Sequence, residues 1–406
     1  MAAGEMDRRA FLRRAATAGA ATGVTLWLPT GAAARPGGMA LLVGPVASPE
    51  GTTLESRIVR ADRPGYARLL DGPPEPTVVR ADLVAPSAGR ADHRRPLAAI
   101  IHLTDVHLID AQSPVRVEFL DEMGDPFTSA FRPQETLTVQ IAASMLERLS
   151  QLPGGPITGR PFDCAVSTGD NIDNQQTNEA QWFIDLLDGA EVTPDSGDTS
   201  RYEGVQDGDP RYWNPDAPAG RWRDELGFPE YPGLLDAARR PVSSPGLAVP
   251  WYSTYGNHDG LVQGVLPVTP ALTELYVGGR KLVDIPAGTS GAAFVAMVAG
   301  SEPEDLDTRF DSGEFPYREI TPDEARAVET REAWIRAHLD SPAEPGPKGH
   351  GYTEDHLEQP ELHYEFEISQ GVTGISLDTG GYSSGSIGRT QMQWLEQVLE
   401  ARHSRY

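Results

Sequence analysis

Three short apolar runs in this chain each end in a cluster of polar side chains able to bind a cation, and that recurrence constrains the fold more than any other feature. Residues 251–259 read Trp-Tyr-Ser-Thr-Tyr-Gly-Asn-His-Asp. Residues 97–103 are largely apolar and run into Thr104, Asp105, Val106 and His107, while 164–168 run into Gly169, Asp170 and Asn171. Apolar runs of this length predict buried strands. Helical segments expected between them, over 133–152 and 179–187, make the fold class α/β, a buried sheet flanked by helices. Open sheets of that kind gather their sites beyond the carboxyl ends of their strands. In chain order these three ends supply an Asp and a His, then an Asp, then an Asn and a His.

The residue types suit divalent cations and phosphoryl chemistry. Asp105 and His107 are two apart, so on a regular strand both face one side and offer an oxygen and an imidazole nitrogen to one cation. Asp170 has two carboxylate oxygens and can bridge two cations, and Asn257 can give a neutral carbonyl oxygen to the second. Two divalent ions about 3.5–4 Å apart lower the pKa of a shared water and clamp the attacking and leaving oxygens of a phosphoryl group. His258 can protonate the leaving oxygen or bind a phosphate oxygen. A Gly-Asp or Gly-Asn pair alone is a common turn. The weight lies in all three signatures standing in order, each after an apolar strand.

The order and type of these signatures resemble the calcineurin-like metallophosphoesterases, whose blocks run D-x-H, G-D, G-N-H-D/E, a later lone His, and G-H-x-H. The closer likeness is to an exported subgroup with a twin-arginine leader and long inserts. The resemblance implies a β-sandwich flanked by helices, an α/β/β/α four-layer arrangement, and hydrolysis of a phosphomonoester or phosphodiester by attack of a metal-bound hydroxide. It gives Asp105 and His107 to a first metal, Asp170 to both metals and Asn257 to the second, and makes His258 the leaving-group histidine. Asp259 orients His258 or its loop, and Asp173 supports the site or caps its loop. Manganese, iron or zinc suits the mixed oxygen and nitrogen donors. The blocks that should follow 390–401 are missing, since Gly349-His350-Gly351-Tyr352 lacks the second His of G-H-x-H. On this reading the domain lacks its last strands, the second metal site is weak and the chain is a truncated version of a longer enzyme.

The N-terminus reads as an address. Asp7-Arg8-Arg9-Ala10-Phe11-Leu12 carries paired arginines, a small and mildly apolar stretch follows to Leu28, and Ala32-Ala33-Ala34 supplies a cleavage site. Residues 1–34 are thus expected to be a twin-arginine signal peptide, with the translocase as a partner and the product secreted or held in the cell envelope. No later stretch approaches a membrane span. A formal charge of −25 over 406 residues argues against nucleic-acid binding and favours a small phosphoester over a large polyanion. The basic residues are overwhelmingly Arg, so any anion clamp must be built from Arg or metal. The single Cys164 excludes an internal disulfide and should pack as a small hydrophobe.

The rest of the chain divides around the motifs. Residues 35–96 form a linker and an N-terminal β segment, with strands expected at 54–60, 66–70 and 77–83 that can layer against the main sheet. The resemblance makes residues 97–406 a metallophosphoesterase domain, incomplete at its C-terminus, with inserts at 191–244 and 260–360. Residues 110–132 should be a loop shaping the mouth of the site, and the first insert should pack aromatic residues over it. A helix is expected from 321 to 339, a hairpin from strands at 361–368 and 372–377, and a helix at 390–401 with Met392, Leu395, Val398 and Leu399 on one face. His102 should lie in the core, His93, His338 and His403 on the surface, and His350, His356 and His363 are the late candidate ligands. Asp378 reads as a structural strand-end carboxylate. A rival reading is a non-catalytic exported binding protein on a degenerate or truncated version of the fold. A serine hydrolase is disfavoured because no G-x-S-x-G is present.

Overall fold

A parallel three-stranded sheet carries the three signatures. In this computed structural model the described residues run from 50 to 403, apart from 62–68, 90–94, 125–126, 265–267, 295–296, 298–304, 306–307, 310–311, 381–386 and a few isolated positions. The expected leader and its cleavage site therefore lie outside the described residues. The sheet consists of β1 (Ile100–Leu103), β2 (Cys164–Ser167) and β3 (Trp251–Ser253), with β2 in the centre. Ile100 lies opposite Cys164, and Ala165 opposite Trp251. Every residue of β2 is buried, as a central strand covered on both faces requires. Cys164 packs there as a small hydrophobe, and burial pushes its thiol up to about 12.

Helices cover the sheet through amphipathic spacing. In α1 (Thr138–Ser150) the buried residues Val139, Ala142, Ala143 and Leu146 follow the i, i+3, i+4, i+7 rule. The next helix, α2 (Thr177–Asp188), buries Ala180, Phe183, Ile184 and Leu187 and ends at Gly189 in the left-handed conformation. Helix α3 (Arg331–Asp340) is capped by Thr330, whose hydroxyl accepts the Ala333 amide at 3.1 Å. Trp334 of α3 stacks on Phe183 of α2. This helix was expected to begin near 321, but 327–329 are drawn into extended pairing instead. Thr177 donates its amide to Ala327, and Glu329 donates to Gln175, which leaves only a short turn at Glu324–Arg326 before Thr330 restarts the helix.

An antiparallel hairpin, β4 (Tyr364–Ser369) with β5 (Val372–Ser376), touches both edges of the parallel sheet. The Ser369 hydroxyl donates to the Leu97 carbonyl before β1, and the Tyr364 hydroxyl donates to the Ser253 carbonyl at the end of β3. Helix α4 (Gly388–His403) follows. Its expected apolar face is rotated: Met392 and Leu399 are exposed, and Gln391 and Val398 are buried. The Gln391 amide decides the rotation, accepting from the Asp378 amide and donating to the Asp378 carbonyl, both at 2.8 Å.

The peripheral segments differ more from expectation. Arg57–Arg60 pairs with Leu69–Gly72 as a two-stranded ribbon, and 81–83 form a turn where a third strand was expected. Ile58 and Leu69 are 73% and 64% exposed, so the ribbon does not layer against the main sheet. Its four apolar residues are split between the two faces, Ile58 and Leu69 on one and Val59 and Leu70 on the other, so neither face carries an apolar stripe. The first insert starts and ends on a short pairing of Glu191–Val192 with Val242–Ser243. The second insert shares an apolar cluster with the loop after β1, in which Leu272, Leu275, Tyr276 and Leu282 meet Val115, Phe119 and Leu120. Among the described residues no helix is long and apolar enough to cross a membrane.

Candidate metal centre

The site is built where three loops beyond the sheet come close. Past Leu103 the first loop runs beside the second: Asp105 donates its amide to the Gly169 carbonyl at 3.2 Å, and His107 donates to that of Asp170 at 2.9 Å. The third loop closes over the second so tightly that side chains are excluded. A Cβ on Gly256 would stand 2.2 Å from both the amide nitrogen and Oδ1 of Asp170, and one on Gly169 would stand 2.7 Å from the Gly256 Cα. The glycines of G-D and G-N-H are thus required by backbone contact, whatever else the motifs do.

The expectation that Asp105 and His107 share a side of a regular strand needs correcting. The strand stops at Leu103, and both residues are left-handed, with φ of 53° and 45°. Asp170 is left-handed as well, at 52°. Left-handed backbone is uncommon outside glycine and costs about 1–3 kcal/mol per residue, and such residues concentrate at functional sites. The result is nevertheless convergence. One ligand atom from each of Asp105, His107 and Asp170 lies within 4.8 Å of the others. Asp105 and His107 are the more open of the three, and Asp170 is buried. Two carboxylate oxygens and one imidazole nitrogen form a donor set suited to a borderline divalent cation.

A second set that could hold a cation is His107, Asp173 and His258. Its chemistry fits a hydrogen-bonded cluster better. Asp173 Oδ1 accepts from Nδ1 of His107 at 2.8 Å and from Nδ1 of His258 at 2.6 Å. Its other oxygen accepts from Arg116 Nη1 and Arg132 Nη2, each at 2.6 Å. A cation placed there would face two guanidinium groups. Burial alone would raise the Asp173 carboxyl, but Arg116, the two histidines and Arg132 overcome it and hold the group well below the usual carboxylate range. An ionised Asp173 only accepts, so both imidazoles carry their proton on Nδ1 and leave Nε2 open. The two rings meet edge to face with centroids 4.5 Å apart.

Asn257 and His258 follow Gly256 directly, and the His258 amide donates to Asp170 Oδ1 at 3.0 Å, which ties the third loop to the second. Asp259 is fully buried and braces the loops. It accepts from the amides of Ile172 at 2.8 Å and Gly256 at 2.7 Å, and from the Asn171 side chain at 2.9 Å. Burial, with Asp170 nearby, pushes its carboxyl well above the usual range despite those donors. Of the two roles expected for Asp259, the structure gives it the loop and gives Asp173 the orientation of His258.

Arg116 and Arg132 were not singled out from the sequence. Both sit in the loop after D-x-H, and in a chain whose cations are nearly all Arg, arginines beside the first motif were the available signal. Arg116 is buried and also donates to the Ala130 carbonyl and to Glu135. Aromatic residues of the first insert were expected to pack over the site, and two of them reach its neighbourhood. Tyr212 and Trp222 pack edge-on against Phe131, the residue before Arg132, and so back the arginine wall.

The late histidines lie elsewhere. His350 is fully buried and stacked on Trp251 at 3.4 Å, with Nε2 2.9 Å from the Ser341 hydroxyl. His356 Nδ1 is 2.9 Å from the Thr353 amide, and His363 packs against Trp394. His338, expected on the surface, is buried on the inner stripe of α3, 2.8 Å from the Ser253 hydroxyl. His102, expected in the core, alternates with Ile101 and Leu103 but points to the open face of an edge strand, 3.0 Å from the Thr168 hydroxyl. His93 lies outside the described residues. Asp378 is structural: it pairs with Arg331 at 2.5 Å and accepts the Gly380 amide. Searches against protein-family models, curated proteins and solved structures find no match to this chain.

Proposed function

We propose that this chain is a metal-dependent phosphoesterase of the calcineurin-like kind, acting on a small phosphomonoester or phosphodiester after export through the twin-arginine pathway. The observation that carries the reading is the convergence of Asp105, His107 and Asp170 at the ends of adjacent parallel strands, beside a His258 fixed by the same carboxylate as His107. The four-layer sandwich is the architecture this reading implies around the three-stranded sheet.

Asp105, His107 and Asp170 would hold the first cation, and Asp170 with Asn257 the second, more weakly, with manganese, iron or zinc suited to these donors. When bound, such ions supply positive charge against the phosphoryl oxygens and make a nearby water more acidic. The chain's own groups do the rest. Asp173 fixes both imidazoles with Nδ1 toward itself, and the Asp170 carboxylate anchors the backbone of the His258 loop. His258 then presents Nε2 outward, where it can bind a phosphate oxygen or exchange a proton with the leaving oxygen.

The test is hydrolysis of p-nitrophenyl phosphate and bis(p-nitrophenyl) phosphate with added manganese, zinc or iron. Turnover abolished by Asp170→Ala supports the reading. No turnover of either ester with any of the three metals overturns it in favour of a non-catalytic exported binding protein on the same fold. Export is checked separately by N-terminal sequencing of the mature protein, expected to begin at Arg35.

A further inference from the structure

Behind the arginine wall lies a buried charge that the site chemistry does not use. Lys281 stands on the strand Arg280–Leu282 of the second insert, and its side chain is wholly inaccessible. Its ammonium donates to the carbonyls of Ser113 at 2.6 Å and Arg116 at 3.3 Å, and to Glu118 Oε1 at 2.9 Å. All three donors are thus spent on one turn of the loop after D-x-H. That turn carries Arg116, whose guanidinium joins Asp173 to Glu135. Three cations, Lys281, Arg116 and the half-buried Arg132, meet three buried carboxylates, Glu118, Glu135 and Asp173, in one network joined through the Arg116 carbonyl.

We propose that Lys281 is a positioning residue: from the second insert it fixes the 113–118 turn so that Arg116 meets Asp173, and through Asp173 it sets which nitrogen of His107 and His258 faces the metal centre. Two features favour this over simple packing. A buried ion pair is a poor stabiliser compared with apolar residues of similar volume, so its geometry is what it contributes. The chain also has only two lysines among 34 basic residues, and one of them is here. A tetrahedral ammonium can aim three donors at two carbonyls and a carboxylate around one turn, which the planar fork of Arg cannot. The insert and the loop share an apolar cluster containing Leu282 and Val115, so the anchor is held on both sides.

What the positioned groups do rests on the phosphoesterase reading; the positioning itself does not. The test uses the full chain with Lys281→Met and with Lys281→Met/Glu118→Leu, the double variant removing the carboxylate that the first would strand. Imidazole nitrogen NMR of the metal-free protein reports the tautomers of His107 and His258, and titration calorimetry with manganese alone reports affinity. In wild type both rings should show a single form protonated at Nδ1. In the folded variants they should show mixed tautomers, with manganese affinity at least about tenfold weaker, as for other groups that orient metal ligands. If Lys281→Met does not fold, the double variant carries the test. A folded variant with wild-type tautomers and wild-type manganese affinity overturns the proposal. Failure of wild type to hydrolyse any ester would sink the enzymatic reading and leave the tautomer measurement to decide this one.

Discussion

The Asp259 carboxylate accepts the backbone amide of Ile172 at 2.8 Å across 87 residues of sequence, and so welds the loop after β3 to the loop after β2. The same side chain takes the Gly256 amide and the Asn171 side chain. Asp259→Ala strands these buried donors, and should cost about 3 kcal/mol of folding stability. Urea unfolding followed by tryptophan fluorescence measures it; a loss below about 0.5 kcal/mol, the level of an ordinary surface substitution, would refute the bracing role.

Gly256 touches the Asp170 backbone, so Gly256→Ala must push the second and third loops apart. Because one of those loops carries Asp170 and the other Asn257, the expected result is manganese binding weakened at least about tenfold, with the core helices intact. Calorimetry gives the affinity and far-UV circular dichroism the fold. Unchanged affinity would show that the loops can separate without moving the ligands.

Asp173→Asn keeps the size of the side chain and removes the charge that two imidazoles and two guanidiniums share. The ring nitrogens lose a fixed acceptor, and kcat for p-nitrophenyl phosphate should fall about 100-fold or more, with a smaller change in KM. Steady-state kinetics with saturating manganese would expose a contrary outcome, in which KM alone rises and kcat holds.

His338 makes stability depend on acidity. Burial pushes its imidazole down from 6.5 to about 3, with His350 adding to the effect and the Trp334 carbonyl opposing it. Below 6.5 the unfolded chain takes up a proton that the folded chain refuses. The contribution is therefore complete above 6.5 and is lost as pH falls toward about 3. Urea unfolding of wild type against His338→Gln should show wild type losing about 1.4 kcal/mol more per pH unit through this window. Parallel curves for the two proteins would show that the buried imidazole titrates normally.

The strands and the polar residues that end them were legible because an apolar run followed by Asp, His or Asn leaves few alternatives, although the pairing is shorter than the run, Ile100–Leu103 within 97–103. Helix α2 was expected over 179–187 and is found at Thr177–Asp188. What the sequence hid depends on distant partners. Arg116 and Arg132 reach Asp173 over 57 and 41 residues, and no local pattern announces that. The start of α3 was misplaced because 327–329 pair with 175–177, a contact that outweighs the helix-start signal at 321–324. His338 and His102 exchanged environments because a lone histidine has no periodicity; helix rotation and an uncovered sheet edge decided each. Asp259 read as a neighbour of His258, and only the folded loops reveal that its oxygens point back to Ile172 and Gly256.

The left-handed backbone at Asp105, His107 and Asp170 narrows what evolution can write at these three positions. Asp is among the few residues besides glycine that enter that conformation readily, whereas branched side chains are close to barred from it. Exchange of either aspartate for glutamate, which preserves charge, would combine a longer reach with a worse conformational match. At these places the alphabet is cut twice, once by chemistry and once by the shape of the main chain.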